Sequence, residues 1–166
     1  NLRSVANALG RLGAEYKITA DTKEIRSADR VLLPGVGEAS TAMQKLRERG
    51  LVEVIRSLTQ PVLGICIGVQ LLCRRSEEGK AECIGIFDNE VKKFRTHELK
   101  IPHMGWNSIE QLKSPLFDGI DEGSYVYYVH SFAPTVNADT IAVTTYGEAF
   151  SAAIRRDNFF GTQFHP

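Results

Sequence analysis

Apolar and polar residues change rhythm along this chain, and the changes predict its elements. At the start Leu2, Val5, Ala6, Leu9 and Leu12 recur at helical spacing behind Asn1, a candidate cap. AEYKIT (14–19) reads as a strand, and RVLLP (30–34) as a short buried strand that stops at Pro34, before Gly35-Val36-Gly37. Helical spacing returns from Glu38 to Glu48 and from Leu51 to Leu58. PVLGI (61–65) is again a short apolar strand, followed by a helix through Val69, Leu71 and Leu72 to Arg75. Buried strands alternating with helices predict an α/β fold, with an open, mostly parallel sheet covered by helices on both faces.

From about residue 84 the character changes to extended segments: EVKKF (90–94), GWNSIEQ (105–111), YVYYVHSF (125–132) and TIAVTTY (140–146). FSAAIRR and NFFGTQF then flank an Asp157-Asn158 turn. Mixed or antiparallel strands are expected in this half. No repeat, low-complexity tract or linker divides residues 1–166, which predicts one domain.

Composition narrows the function classes. The chain is 43% apolar and carries 20 basic against 20 acidic side chains, so no global field favours nucleic acid or an anionic membrane. Cys66, Cys73 and Cys83 form no CxxC pair and are odd in number, which argues against a disulfide framework and a zinc site. No metal and no cofactor are expected. No apolar run approaches the ~18 residues of a membrane span, and no basic-then-apolar leader opens the chain, so a cytoplasmic setting is expected.

Cys66 stands apart because Gly64 and Gly68 flank it where a strand turns into a helix, the spacing of a nucleophile elbow with sulfur in place of oxygen. Such a turn needs small neighbours, and it raises the nucleophile above the carboxyl ends of the strands. A helix N-terminus there is expected to stabilise the thiolate. The Ile67 amide is placed to donate to an oxyanion, and a second donor is expected from Pro34-Gly35-Val36-Gly37, whose Gly35-Val36 peptide has freedom to turn either way. Cys73 and Cys83 lack this setting and read as core residues.

A thiol nucleophile needs a base, and the chain has four histidines: His97, His103, His130 and His165. His97 sits in the polar RTHELK and reads as a solvated loop residue, while His103 has no evident role. His130 ends an apolar strand, where lining a site and filling a core are equally natural. His165 closes GTQFHP at a strand end, held extended by Pro166, and pairs with Cys66 as candidate base and acid.

Taken in order, PGVG (34–37), GICIGVQLL (64–72), GWN (105–107), YVHSF (128–132) and GTQFHP (161–166) resemble the class I, triad-type glutamine amidotransferases over essentially the whole chain. PGVG, MGWN and YVHSF resemble the branch that serves histidine biosynthesis. The resemblance implies a flavodoxin-like amidotransferase fold and hydrolysis of L-glutamine through a thioester on Cys66, with His165 as base and acid. It implies Val36 and Ile67 amides as the oxyanion hole, and Gly37, Gln70, Glu78, His130, Ser131 and Phe132 as the glutamine site. Ammonia would pass to the cyclase subunit of imidazole glycerol phosphate synthase in a heterodimer, with Trp106 and Asn107 facing that partner.

The family pattern also has a strand ahead of the residue matching Asn1 and a glutamate just beyond the proline matching Pro166. Neither lies in this chain, which therefore reads as lacking the first strand and truncated at both ends, with no residue assignable as the triad acid. Two alternatives stay open at this point: another class I amidotransferase branch, and a non-catalytic subunit that keeps the elbow for packing.

Overall fold

A computed structural model describes residues 2–35 and 37–166 of the chain. Helix α1 (Leu2–Arg11) follows the expected stripe and buries Val5, although Leu12 lies past its end and is exposed. AEYKIT forms no strand: residues 14–21 have no regular element, and Tyr16 and Ile18 are exposed. A strand is stabilised by its neighbours, and no described strand pairs with this segment. Helix α2 (Thr22–Ser27) has no apolar stripe to announce it and is set by its cap. The Asp21 carboxylate accepts from the Lys23 and Glu24 amides at 2.9 and 3.0 Å, and Glu24 three residues after a capping Asp was the readable signal.

Strand β1 (Val31–Pro34), helices α3 (Ala39–Glu48) and α4 (Leu51–Arg56), strand β2 (Val62–Ile65) and helix α5 (Ile67–Leu72) come close to their expected bounds. Only α5 falls short of Arg75. Its continuation is taken up by strand pairing, since the Arg74 amide donates to the Asn89 carbonyl and the Arg74 carbonyl accepts from the Cys83 amide, both at 3.0 Å. The chain thereby enters β3 (Arg75–Ser76), which pairs with β4 (Ala81–Glu82) and, in parallel, with β5 (Glu90–Lys93).

The second half contributes β6 (His103–Ser108), β7 (Tyr125–His130), β8 (Phe132–Pro134), β9 (Thr140–Tyr146), β10 (Glu148–Arg156) and β11 (Phe159–Thr162). The main sheet runs β1-β2-β11-β10-β9, a second sheet β4-β3-β5-β8, and β6 pairs β7 as a separate ribbon. In the main sheet β1, β2 and β11 are parallel, while β10 is antiparallel to both of its neighbours. The final strand thus returns from an antiparallel hairpin to the middle of the sheet. Its partner there is β2, whose end carries Cys66.

Alternation along β2 explains the layers. Val62 joins the core built from Met43, Leu51, Ile55, Val69 and Leu72 of α3, α4 and α5, whereas Leu63 and Ile65 pack with Val5 and Leu9 of α1 on the other face. Each fully buried aliphatic side chain contributes roughly 1.5–3 kcal/mol, so both helical layers are held by the same strand. A further core of Phe94, Ile109, Tyr128 and Phe150 joins β9 and β10 to the ribbon. Among the described residues no helix is long and apolar enough to cross a membrane.

Candidate active site

Cys66 sits at the β2–α5 junction with φ 56° and ψ −114°, a backbone conformation a side-chain-bearing residue rarely adopts. Holding it costs on the order of 1–3 kcal/mol, which the surrounding packing must overcome. At Gly64 and Gly68 that packing is backbone against backbone. A Cβ added to Gly68 would lie 1.8 Å from the Leu33 carbonyl oxygen, and one on Gly64 would lie 2.7 Å from the Gly68 carbonyl carbon. On either side, a Cβ on Gly35 would lie 2.4 Å from Ile67 Cβ, and one on Gly161 2.1 Å from Val69 Cγ2. The glycines are therefore needed because β1, β2, β11 and α5 meet too closely for side chains.

The sulfur is buried, with Cys66 7% exposed, and burial pushes its thiol above the ordinary value. The Ile67 amide hydrogen-bonds the sulfur and pulls the other way, while the Glu78 charge adds to the rise. This corrects the expectation of a stabilised thiolate: α5 has only six residues, and desolvation outweighs its N-terminus. His165 is half-buried, and burial holds its imidazole below the usual range, in the neutral form a base needs. The resting pair is thus a neutral thiol and a neutral imidazole.

Strand pairing sets β11 beside the elbow, with His165 three residues past its end. The Cys66 amide donates to the Thr162 carbonyl at 2.7 Å, and three residues later the His165 amide donates to the Tyr127 carbonyl at 3.1 Å. Between them Gln163, fully buried, donates through Nε2 to Cys66 Sγ at 3.8 Å. Its Oε1 accepts from Gln70 Nε2 at 2.9 Å, and Gln70 Nε2 also donates to the Phe132 carbonyl at 2.9 Å. Sequence reasoning passed over Gln163. The signal available was an amide side chain in NFFGTQF, whose approach to Cys66 is visible only once β11 is known to lie against β2.

The other expected residues fall around this centre in different ways. Glu78 is half-buried and accepts from the Ala39 amide at 2.8 Å, at the start of α3. Gly37 has φ 77° in the loop after β1. Val36, the expected second oxyanion donor, and Asn1, the candidate cap, lie outside the described residues. Ser131 and Phe132 are half-buried at the β7–β8 break, whereas the His130 ring is buried and turned inward. His130 Nδ1 lies 2.9 Å from the Phe132 carbonyl and Nε2 lies 3.0 Å from His103 Nδ1, so both ring nitrogens are engaged within the protein. His103 also gains a setting, stacked on Tyr146 with centroids 3.9 Å apart; His97 is exposed.

On the β6–β7 ribbon, period-two alternation separates two residues that were expected to act together. Trp106 (68% exposed) and Met104 (62%) face outward with Tyr125 and Val129. Asn107, expected beside Trp106 at the partner surface, points inward instead and donates from Nδ2 to the Thr145 carbonyl at 3.0 Å. Adjacent strand residues lie on opposite faces. No cluster of three or more His, Cys, Asp or Glu among the described residues could hold a metal ion.

The comparisons with known proteins agree with one another. The family model for "Glutamine amidotransferase class-I" matches residues 1–166. The protein described as imidazole glycerol phosphate synthase subunit HisH from Bacteroides fragilis (strain YCH46) is 55% identical, over 100% of this chain and 86% of its own length. That of Escherichia coli (strain K12) is 51% identical with the same coverage. A solved glutamine amidotransferase superposes with TM-score 0.75 at 19% identity, covering 100% of this chain and 85% of its own. A glutamine amidotransferase from Thermotoga maritima gives 0.63 at 18%, covering 97% and 68%. At those identities the solved structures speak for the fold.

Proposed function

The chain belongs to the class I glutamine amidotransferase family, and from that premise we propose how its residues divide the work. It hydrolyses L-glutamine and supplies the ammonia to the cyclase subunit of imidazole glycerol phosphate synthase, in histidine biosynthesis. Residues 1–166 act as one amidotransferase domain, in the cytoplasm, as half of a heterodimer. The observation that carries this reading is Cys66 on its glycine-framed turn, with β11 pairing beside it so that His165 follows three residues after the Thr162 carbonyl.

In this mechanism the Cys66 thiol gives its proton to the neutral His165 imidazole as sulfur attacks the amide carbon of glutamine. The carbonyl oxygen becomes an oxyanion and takes the Ile67 amide as a donor, with Val36 assigned as the second. The carbon–nitrogen bond then breaks, the His165 proton passes to the leaving nitrogen, and ammonia departs from a thioester on Cys66. Water, deprotonated by His165, attacks the thioester; glutamate leaves and the sulfur recovers its proton. Burial raises the thiol above its ordinary value, so the proton transfer to His165 is what frees the sulfur for attack.

Gly37, Gln70, Glu78 and the His130–Phe132 segment hold the substrate, with His130 acting through its backbone since its ring is already engaged. Glu78 supplies a carboxylate for the substrate's ammonium group. The outward face of the ribbon, centred on Trp106, meets the cyclase, and its exposed aromatics suit an interface anchor.

The test is to treat the intact protein, with and without the cyclase, with a glutamine-mimicking electrophile and map the adduct by mass spectrometry. A single adduct on Cys66 is expected, faster with the cyclase present. Cys66→Ser should bind the cyclase and release no ammonia. Labelling confined to Cys73 or Cys83, or ammonia release retained in Cys66→Ser, overturns the reading.

A further inference from the structure

Building on Cys66 as the nucleophile, we infer that His103 and Gln163 are positioning residues, two members of a hydrogen-bonded chain that ties the orientation of the sulfur to the ribbon bearing Trp106. The chain is continuous in the structure. From the ribbon it runs through Asn107, His103 and His130 to the Phe132 carbonyl, and from that carbonyl through Gln70 and Gln163 to Cys66.

A carbonyl oxygen can only accept, and this single acceptor orders every group on both sides of it. His130 Nδ1 lies 2.9 Å away and must carry its proton. Burial holds both His130 and His103 at about 4, so each ring is neutral and has one bare nitrogen. The bare nitrogen of His130 is Nε2, which obliges His103 Nδ1, 3.0 Å away, to donate. His103 Nε2 is then the acceptor for Asn107 Nδ2 at 3.4 Å. On the other side, Gln70 Nε2 gives one proton to the Phe132 carbonyl and one to Gln163 Oε1. With its oxygen so occupied, Gln163 can present only its N–H to Cys66 Sγ. A donor aimed at sulfur favours the charged form and opposes the burial that keeps the thiol protonated.

The ribbon gives the chain its reach. Register pairs His103 with His130 on the inner face, while Met104, Trp106, Tyr127 and Val129 alternate to the outer one. A partner pressing on Trp106 therefore acts on a strand whose neighbouring residues are members of the chain. The stacked rings of Tyr146 and Tyr128 hold His103 in register, at centroid distances of 3.9 and 4.8 Å.

The experiment is alkylation of Cys66 by iodoacetamide across a pH series, read by mass spectrometry on the intact protein alone and in complex with the cyclase. Glu78 and His165 are unaltered in every variant, so a shift reports the chain. Gln163→Met, of similar length without a donor, should raise the alkylation midpoint by about one pH unit. His103→Phe, which keeps the stacked ring and loses the N–H, should shift it less in the same direction. His103→Asn, able to place an N–H near the Nδ1 position, should restore the wild-type profile. In ammonia assays of the complex, kcat should fall in Gln163→Met and His103→Phe with KM for glutamine unchanged.

Superposable profiles for wild type, Gln163→Met and His103→Phe, in proteins with equal melting temperatures, overturn the inference. So does an equal shift in His103→Phe and His103→Asn, which would make His103 a packing residue, or a shift in Gln163→Met alone. If His103→Phe does not fold, Asn107→Leu, at the ribbon end of the same chain, takes its place with the same expected direction. Iodoacetamide requires no glutamine, so a flat profile counts against the chain, whereas a normal profile without ammonia release counts against the glutaminase reading.

Discussion

On the elbow side of the site, β1, β2, β11 and α5 meet too closely for a further side chain, and the position of Cys66 is set by side chains that are missing at Gly35, Gly64, Gly68 and Gly161. On the ribbon side, the position of each group is set by polar side chains that are present: Asn107, His103, His130, Gln70 and Gln163. The two constructions fail differently. Steric contact at 1.8 Å tolerates no added atom, because the obstructing Leu33 carbonyl belongs to the sheet itself. Hydrogen bonds tolerate exchange of donors, so the ribbon side can be tuned where the elbow side can only be broken.

The largest expected effect tests the steric half. Gly68→Ala should cost about 3 kcal/mol or more, beyond ordinary overpacking, because backbone rather than a flexible side chain must yield. Urea unfolding measures it, and a change within about 0.5 kcal/mol would mean that the elbow is far softer than its contacts imply.

A smaller effect tests the polar half through pH. Burial lowers His103 and His130 to about 4 from an unfolded value near 6.5, so the unfolded chain binds these protons first as pH falls. Their neutral forms therefore support the fold fully above pH 6.5, and that support is lost as pH drops from there to about 4. Melting temperature should decline across this window, and less steeply in His103→Phe. Identical slopes for the two proteins would contradict the assignment. The smallest effect separates the faces of the ribbon: Trp106→Ala should change the stability of the isolated chain by less than about 0.5 kcal/mol while weakening cyclase binding at least tenfold in titration calorimetry. Loss of stability comparable to that of His103→Phe would show that the outer face also holds the fold.

How far each region was legible follows from the range of the forces involved. The elbow could be read directly, since Gly64, Cys66 and Gly68 are a local steric requirement written within five residues. The Asp21 cap was equally local, although helical periodicity alone overlooks a helix as short as α2. Asn107 could have been placed inward from strand alternation beside Trp106. AEYKIT failed because alternation states which face a strand would bury and says nothing about whether a neighbouring strand exists.

Local sequence by itself determined where the backbone must turn tightly, which residues are candidate nucleophile and candidate base, and which face of each strand is apolar. Those are properties of sterics and periodicity over a few residues. Only the tertiary structure decided that β11 enters the sheet beside β2, bringing Gln163 to Cys66 across 97 positions. It likewise decided that the thiol is raised and both inner histidines are neutral, because desolvation depends on everything packed around a group, and the chain order does not contain that sum.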